Sequence, residues 1–236
     1  MKYTRDLIPE IDELATRKRE NYPEITDDDF WRFFELAAPY SMVHITGFYN
    51  VYQTLRYLAA NGIPGDLVEC GCFLGGVAIF MGLMRRHLGL EGKRIWLYDT
   101  FEAAPVGATD IRIASGRSET RKRPDPNYYS AVRDNIVEVV GTIEGYVLVP
   151  GAVEETLPHS EHGEIALLRL DTDYYPSTKI EFEVLYPKLV RGGALIVDDY
   201  GIYHGARRAT EEYLQTQDRR PLLNRIDDGI WAGVKP

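Results

Sequence analysis

At 236 residues, with 44% of them apolar and 27% charged, the chain is long enough for one α/β domain with a sizeable buried core. A net charge of −9 argues against a general binder of nucleic acid or of anionic membranes. No apolar run approaches the ~20 residues of a membrane span, and the charged stretch MKYTRDLIPEIDELATRKRE lacks a signal-peptide core. Cys70 and Cys72 are too close in sequence to pair easily and have no nearby histidine for a zinc site. The expectation is a reduced, cytoplasmic protein.

Residues 1–26 read as a polar helix followed by a loop around Pro23. Thr26 and Asp29 predict a capping-box-like start to a helix carrying Phe30, Trp31, Phe33, Phe34 and Leu36. Those aromatics are expected to pack rather than to touch a cofactor. A second helix, from about Thr46 to Ala60, stops at Asn61-Gly62 with Pro64 beyond. Residues 1–63 are thus expected to form an N-terminal helical layer that lids the site or mediates assembly, with the sheet domain in 64–236.

The sheet is predicted to begin with Asp66 to Cys70, which runs into Gly71-Cys72-Phe73-Leu74-Gly75-Gly76. Val77, Phe80, Met81, Met84 and Leu88 then fall at helical spacing. A dinucleotide fingerprint needs a glycine where Phe73 stands, so the backbone can approach a pyrophosphate. Phe73 therefore argues against an NAD dehydrogenase. It suits a cofactor that offers the loop only a carboxylate and a nucleoside. Glu69 and Gly71 at the end of the first strand, and Asp99 at the end of the second (Arg94 to Tyr98), match the pattern for S-adenosylmethionine. There the loop, through Gly71 and Gly75, and the helix start receive the methionine end, and Asp99 accepts from the ribose diol.

Residues 102–127 are polar and aperiodic, with Arg112, Arg117, Arg121, Lys122 and Arg123, and are expected to form a mobile loop over the site. Tyr128 to Val140 returns to a helix, and Tyr146 to Val149 is a third strand closed by Pro150-Gly151. His159 and His162 follow in a polar turn and are expected to be solvated. The apolar run Ile165 to Leu170 then ends in Asp171-Thr172-Asp173, and after a helix and Gly192-Gly193 the run Ala194 to Val197 ends in Asp198-Asp199. Two continuous apolar runs joined by a helix predict a right-handed β-α-β unit with both strand tips on one rim. Ligands bind at that rim in open α/β sheets. Asp171, Asp198 and Asp199 would repel one another there unless a hard divalent cation, Mg²⁺ most simply, joined them. Arg207 to Gln215 reads as a last helix. Leu222 to Ile226 and Ile230 to Val234 read as a hairpin around Asp227-Asp228-Gly229.

The segments GIPGDLVECGCFLGG, LYDTFEAAP, LRLDTDYYPSTKIEFEVLYPKL, GGALIVDDYG and GARRATEEYL resemble the macrocin O-methyltransferase family over about residues 41–215. That resemblance implies the class I methyltransferase fold, which is a Rossmann-like, mostly parallel sheet with helices on both faces and an antiparallel last strand. It implies Mg²⁺- and S-adenosylmethionine-dependent methylation of sugar hydroxyls in bacterial natural products, and homodimers or higher homo-oligomers whose N-terminal helices help close the site. It places Ser41-Met42 near the cofactor and a metal at Asp171, Asp198 and Asp199. Gly151-Ala152-Val153 offers no aromatic of the kind the resemblance implies beside adenine.

The expected reaction follows from these parts. A cation lowers the pKa of the acceptor hydroxyl, and the site aims that hydroxyl at the sulfonium methyl. Asp171 and His204 are the two candidates for the base, His204 being equally readable as a surface residue. Tyr174, Tyr175, Tyr200 and Tyr203 flank the acids, and Tyr174, Tyr200 and Tyr203 are expected to contact the sugar. The alternatives are a metal-dependent catechol or phenol O-methyltransferase and a nucleotide- or sugar-binding module without turnover.

Overall fold

A computed structural model describes residues 19–102, 109–114, 116, 118–120 and 127–236, of residues 109 and 118–120 the backbone alone. The helix expected within residues 1–18, and Arg117, Arg121, Lys122 and Arg123, lie outside the described residues. Two helices come first, α1 (Asp28–Ala37) and α2 (Ile45–Ala60). Asp27, not Thr26, caps α1, its carboxylate accepting from the Asp29 N–H at 3.0 Å. His44 caps α2 by accepting from the Thr46 N–H.

The central sheet is built from β1 (Asp66–Cys70), β2 (Ile95–Asp99), β5 (Tyr146–Pro150), β6 (Ile165–Leu170), β7 (Leu189–Val197), β8 (Asn224–Arg225) and β9 (Trp231–Val234). The spatial order is β5-β2-β1-β6-β7-β9-β8, parallel from β5 to β7 and antiparallel beyond. The chain builds outward from β1 through β2 to β5 and then returns to β6 on the other side of β1, so the tips of β1 and β6 form a switch point where the following loops part and leave a crevice. The helices α3 (Gly76–His87), α4 (Tyr129–Val140), α5 (Val153–Thr156), α6 (Tyr175–Leu185) and α7 (His204–Gln215) supply the crossovers and cover both faces. β7 starts at Leu189, upstream of the apolar run, because Gly192-Gly193 continues the strand rather than preceding it.

Two apolar cores form, one on each face. On one side α1, α2, α3 and α4 pack Phe30, Phe48, Leu55, Phe80 and Ile136 against Leu67, Leu97 and Ile196. Phe30 sits in an aromatic cluster, 5.4 Å from Trp31, 5.6 Å from Phe34 and 6.0 Å from Phe80. Burying such a ring contributes roughly 1.5–3 kcal/mol. On the other side α5, α6 and α7 cover Val68, Leu168, Leu195 and Val197 with Leu157, Phe182 and Leu214. β6 is buried at every position, which explains its unbroken apolar sequence and makes its single arginine conspicuous.

The segment expected to be a loop over the site is more ordered where described. β3 (Thr109–Ile111) pairs antiparallel with β4 (Ser118–Thr120). This ribbon is tied to the start of α7: the Ile113 N–H donates to the Ile202 carbonyl at 2.7 Å, and Asp110 accepts from the Gly205 N–H. His162 also departs from expectation. It is half-buried against Trp96 and hydrogen-bonded to the Tyr98 hydroxyl, because the turn after α5 folds back over β2.

Candidate active site

The strand tips are locked in step by the residues that follow them. The N–H of Gly71 donates to the Tyr98 carbonyl at 2.7 Å, that of Asp171 to Cys70 at 2.9 Å, that of Asp198 to Leu170 at 2.9 Å and that of Gly151 to Asp99 at 3.0 Å. The ladder thus carries on one residue past each strand and fixes the acids along one rim. Gly71 is required there: its φ is 81°, and a Cβ would lie 1.9 Å from the Asp171 carbonyl oxygen. Phe73, Phe101 and Asp173 have φ of 50°, 51° and 69°. Each follows one of the tips of β1, β2 and β6, so the left-handed backbone is concentrated around the crevice.

That crevice is a cavity of about 950 Å³. Ser41, Met42 and Val43 of the N-terminal layer form one wall; Met42 is 56% exposed and Ser41 is buried, its Oγ accepting from the Val43 N–H. The layer presses on the glycine loop, since a Cβ on Gly76 would lie 2.4 Å from that of Ser41. Asp99 organises the loop from its other side. Its Oδ2 accepts from the N–H groups of Cys72 at 2.7 Å and Phe73 at 3.2 Å, and its Oδ1 from that of Phe101 at 2.8 Å and the Tyr128 hydroxyl at 3.3 Å. Gly75 precedes α3 with φ 87°, which turns the loop into the helix. Glu69, Gly71, Asp99 and Gly151 all line the cavity.

Behind the rim stands Arg169, which is 1% exposed. Its Nη1 lies 2.7 Å from Glu69 Oε1 and 2.8 Å from Asp171 Oδ2, and its Nη2 is bonded to Asp198 Oδ2. Burial works to lower the Arg169 pKa, and the three acids outweigh it and raise it. Burial likewise pushes Glu69 up to about 7, with Arg169 only partly offsetting it. Sequence reasoning passed over this arginine. Its signal was a single charge inside a strand read as fully buried, which demands counter-charges.

The carboxylates expected to meet were Asp171, Asp198 and Asp199. The structure brings Asp171 and Asp199 together with Asp173 instead, with an oxygen from each within 4.8 Å of the others. Asp198 is turned back onto Arg169. Asp199 is 6% exposed, and its Oδ2 finds no hydrogen-bond donor among the described residues. Burial first, then the neighbouring carboxylates, raises its pKa well above the usual range. A buried acceptor left without a donor, facing two more carboxylates, is the arrangement a hard cation with oxygen ligands satisfies.

Of the residues expected to meet the acceptor, Tyr174 and Tyr203 line the cavity and Tyr200 does not. The Tyr200 hydroxyl donates to Glu211 at 2.9 Å and its ring packs 5.0 Å from Trp231, because the turn after Asp199 carries it outward. His204 is exposed at the first position of α7 and lines the cavity. Asp110 and Arg112 reach the same cavity from the ribbon, a contribution that the aperiodic sequence of that segment concealed.

The chain matches the family described as Macrocin-O-methyltransferase (TylF) over residues 18–233. It is 35% identical over 182 residues to the 8-demethyl-8-(2,3-dimethoxy-alpha-L-rhamnosyl)-tetracenomycin-C 4'-O-methyltransferase of Streptomyces olivaceus, covering 75% of this chain and 68% of that protein. It is 32% identical over 204 residues to the demethyldecarbamoylnovobiocin O-methyltransferase of Streptomyces niveus, covering 83% and 76%. Its fold superposes on the O-methyltransferase NovP with a TM-score of 0.72 at 28% identity, over 83% of this chain and 82% of that one. The S-adenosylhomocysteine-bound Podospora anserina methyltransferase PaMTH1 shares the fold at a TM-score of 0.59 and 17% identity, over 95% and 96%. The chain belongs to the macrocin O-methyltransferase family and is an S-adenosylmethionine-dependent O-methyltransferase.

Proposed function

We propose that this enzyme methylates a hydroxyl of a sugar or glycosylated natural product, and that it does so with a divalent cation, Mg²⁺ most simply, held by Asp171, Asp173 and Asp199. The observation that carries the cation is the buried, donorless Oδ2 of Asp199 among these carboxylates. Asp198, first expected in the set, is not among the three carboxylates that converge within 4.8 Å of one another. A glycoside acceptor is supported by the tyrosines and charged groups in the cavity wall, Tyr174, Tyr203 and Arg112 among them, and by a relative named for methylating a rhamnosyl 4'-hydroxyl.

S-adenosylmethionine would supply an electrophilic methyl group, lodged against the glycine loop by Glu69, Gly71, Gly75 and Asp99, with Met42 and Gly151 at the edges. The cation would lower the pKa of the acceptor hydroxyl. Tyr174 and Tyr203 offer ring faces and hydroxyls to orient the sugar. His204, exposed on the cavity wall, and Asp171 are placed to take the hydroxyl proton. Among the described residues of the N-terminal layer, Ser41, Met42 and Val43 close the donor side. We assign to the same layer the contacts of a homo-oligomer, which light scattering tests directly.

The deciding experiment is a methyl-transfer screen over deoxysugar glycosides and catechols, each with Mg²⁺ and with EDTA. Transfer to glycosides that stops on chelation and returns with Mg²⁺ is expected. Transfer to catechols alone overturns the acceptor class, and transfer indifferent to EDTA overturns the cation.

A further inference from the structure

We propose that Glu181, which does not line the cavity, is a positioning residue: it clamps Thr172 and so holds the turn that presents Asp171 and Asp173 to the cation. The proposal rests on the cation reading above. Glu181 lies on α6 with no exposure at all, and its Oε1 accepts from the Thr172 hydroxyl at 2.9 Å. Thr172 is the one residue between two of the three clustered carboxylates, and it lines the cavity.

The turn needs holding. Asp173 is left-handed at φ 69°, a conformation that a non-glycine residue keeps only where its surroundings fix it. Several groups around Thr172 contribute to that. The Tyr174 N–H donates to the Thr172 carbonyl at 2.8 Å, the Ser177 hydroxyl lies 3.4 Å from the same oxygen, and Glu181 takes the Thr172 side chain. The first two come from the helix start, Ser177 donating more closely to the Tyr174 carbonyl at 2.9 Å, whereas Glu181 reaches the turn from a full turn further along α6. A carboxyl in an apolar core is a costly way to hold a threonine. Its Oε2 finds no hydrogen-bond partner among the described residues, and burial raises its pKa well above the usual range.

Binding of Mn²⁺ alone, followed by electron paramagnetic resonance, tests the assignment on wild type, Glu181→Leu, Thr172→Val and the double variant. Each single variant is expected to bind Mn²⁺ about 10- to 100-fold more weakly, the usual effect of removing a group that orients a ligand. The double variant should be no weaker than either single one, since both remove the same hydrogen bond. Glu181→Gln should bind as wild type does. All four variants should hold S-adenosylhomocysteine unchanged. Wild-type Mn²⁺ affinity in Glu181→Leu, losses that multiply in the double variant, or an equal loss of S-adenosylhomocysteine would each overturn the role and leave the cation reading standing. Thr172→Val carries the test where Glu181→Leu does not fold. A wild-type protein that binds no Mn²⁺ overturns the cation reading and this role with it.

Discussion

Glu69 and Arg169 are register partners on the adjacent parallel strands β1 and β6, and their side chains meet at 2.7 Å with almost no solvent contact. The same guanidinium reaches Asp171 and Asp198, so one buried side chain joins an acid on β1 to acids just past the ends of β6 and β7. Glu69, Asp171 and Asp198 thereby share one buried counter-charge.

Replacing Arg169 by leucine should therefore be severe. It strands Glu69 and leaves Asp171 and Asp198 facing each other, and breaking a buried ion pair in this one-sided way costs about 3–5 kcal/mol. Urea unfolding followed by circular dichroism measures it. A loss within 1 kcal/mol would mean that the acids protonate cheaply and that the ion pairs hold little.

Gly71→Ala should be nearly as damaging for a steric reason. A methyl at φ 81° and 1.9 Å from the Asp171 carbonyl oxygen forces β1 and β6 apart at their tips. A loss of about 4 kcal/mol or more is expected, the range reserved for clashes that the backbone cannot relieve. The unfolding midpoint is again the readout, and Gly89→Ala, where nothing lies within 4 Å, is the matched control with left-handed φ.

The proposed cation set separates three acids that look alike in sequence. Asp173→Asn and Asp199→Asn should each weaken Mn²⁺ binding by at least about 10-fold, given that even outer-shell partners have that effect. Asp198→Asn should mainly lower stability, by loosening Arg169. Titration calorimetry on the three variants checks this. A collapse of Mn²⁺ binding in Asp198→Asn, with Asp173→Asn unaffected, would place Asp198 in the set through its other oxygen.

Asp99→Ala should weaken binding of S-adenosylhomocysteine by about 1.5–3 kcal/mol, the worth of a hydrogen bond to a charged group. The effect is compound, because Asp99 also fixes the N–H groups of Cys72 and Phe73. Calorimetry with the demethylated donor product measures it, and unchanged affinity would remove Asp99 from the donor site.

His162 introduces a pH dependence. Burial first, and Lys188 next, lowers its pKa from 6.5 to about 4. In the folded protein it stays neutral through that window, whereas the unfolded chain takes up a proton. Stability therefore falls as pH drops from about 6.5 toward 4, by at most about 1–2 kcal/mol once screening of this half-exposed ring is allowed for. His162→Phe should flatten that part of the stability profile. An unchanged slope between pH 6.5 and 4 would assign it to other groups.

Much of the site was legible in the linear chain for a topological reason. Apolar runs ending in Asp171-Thr172-Asp173 and Asp198-Asp199, with one helix between them, can only put those acids on the same rim. The glycine loop and Asp99 were legible on the same ground, as the ends of the next two parallel strands. The 102–127 segment was not. Its ribbon is held by bonds to Ile202 and Gly205, residues far along the chain, and a short strand stabilised by remote partners leaves no periodicity.

By itself the sequence determined the sheet, the order of its loops and the acids carried on its strand tips, because strand and helix periods and crossover handedness are properties of the chain. Only the tertiary structure decided which charge faces which. Asp173 stands with Asp171 and Asp199 where Asp198 was expected, and Asp198 turns to Arg169, which β6 carries into the core beside Glu69 of β1.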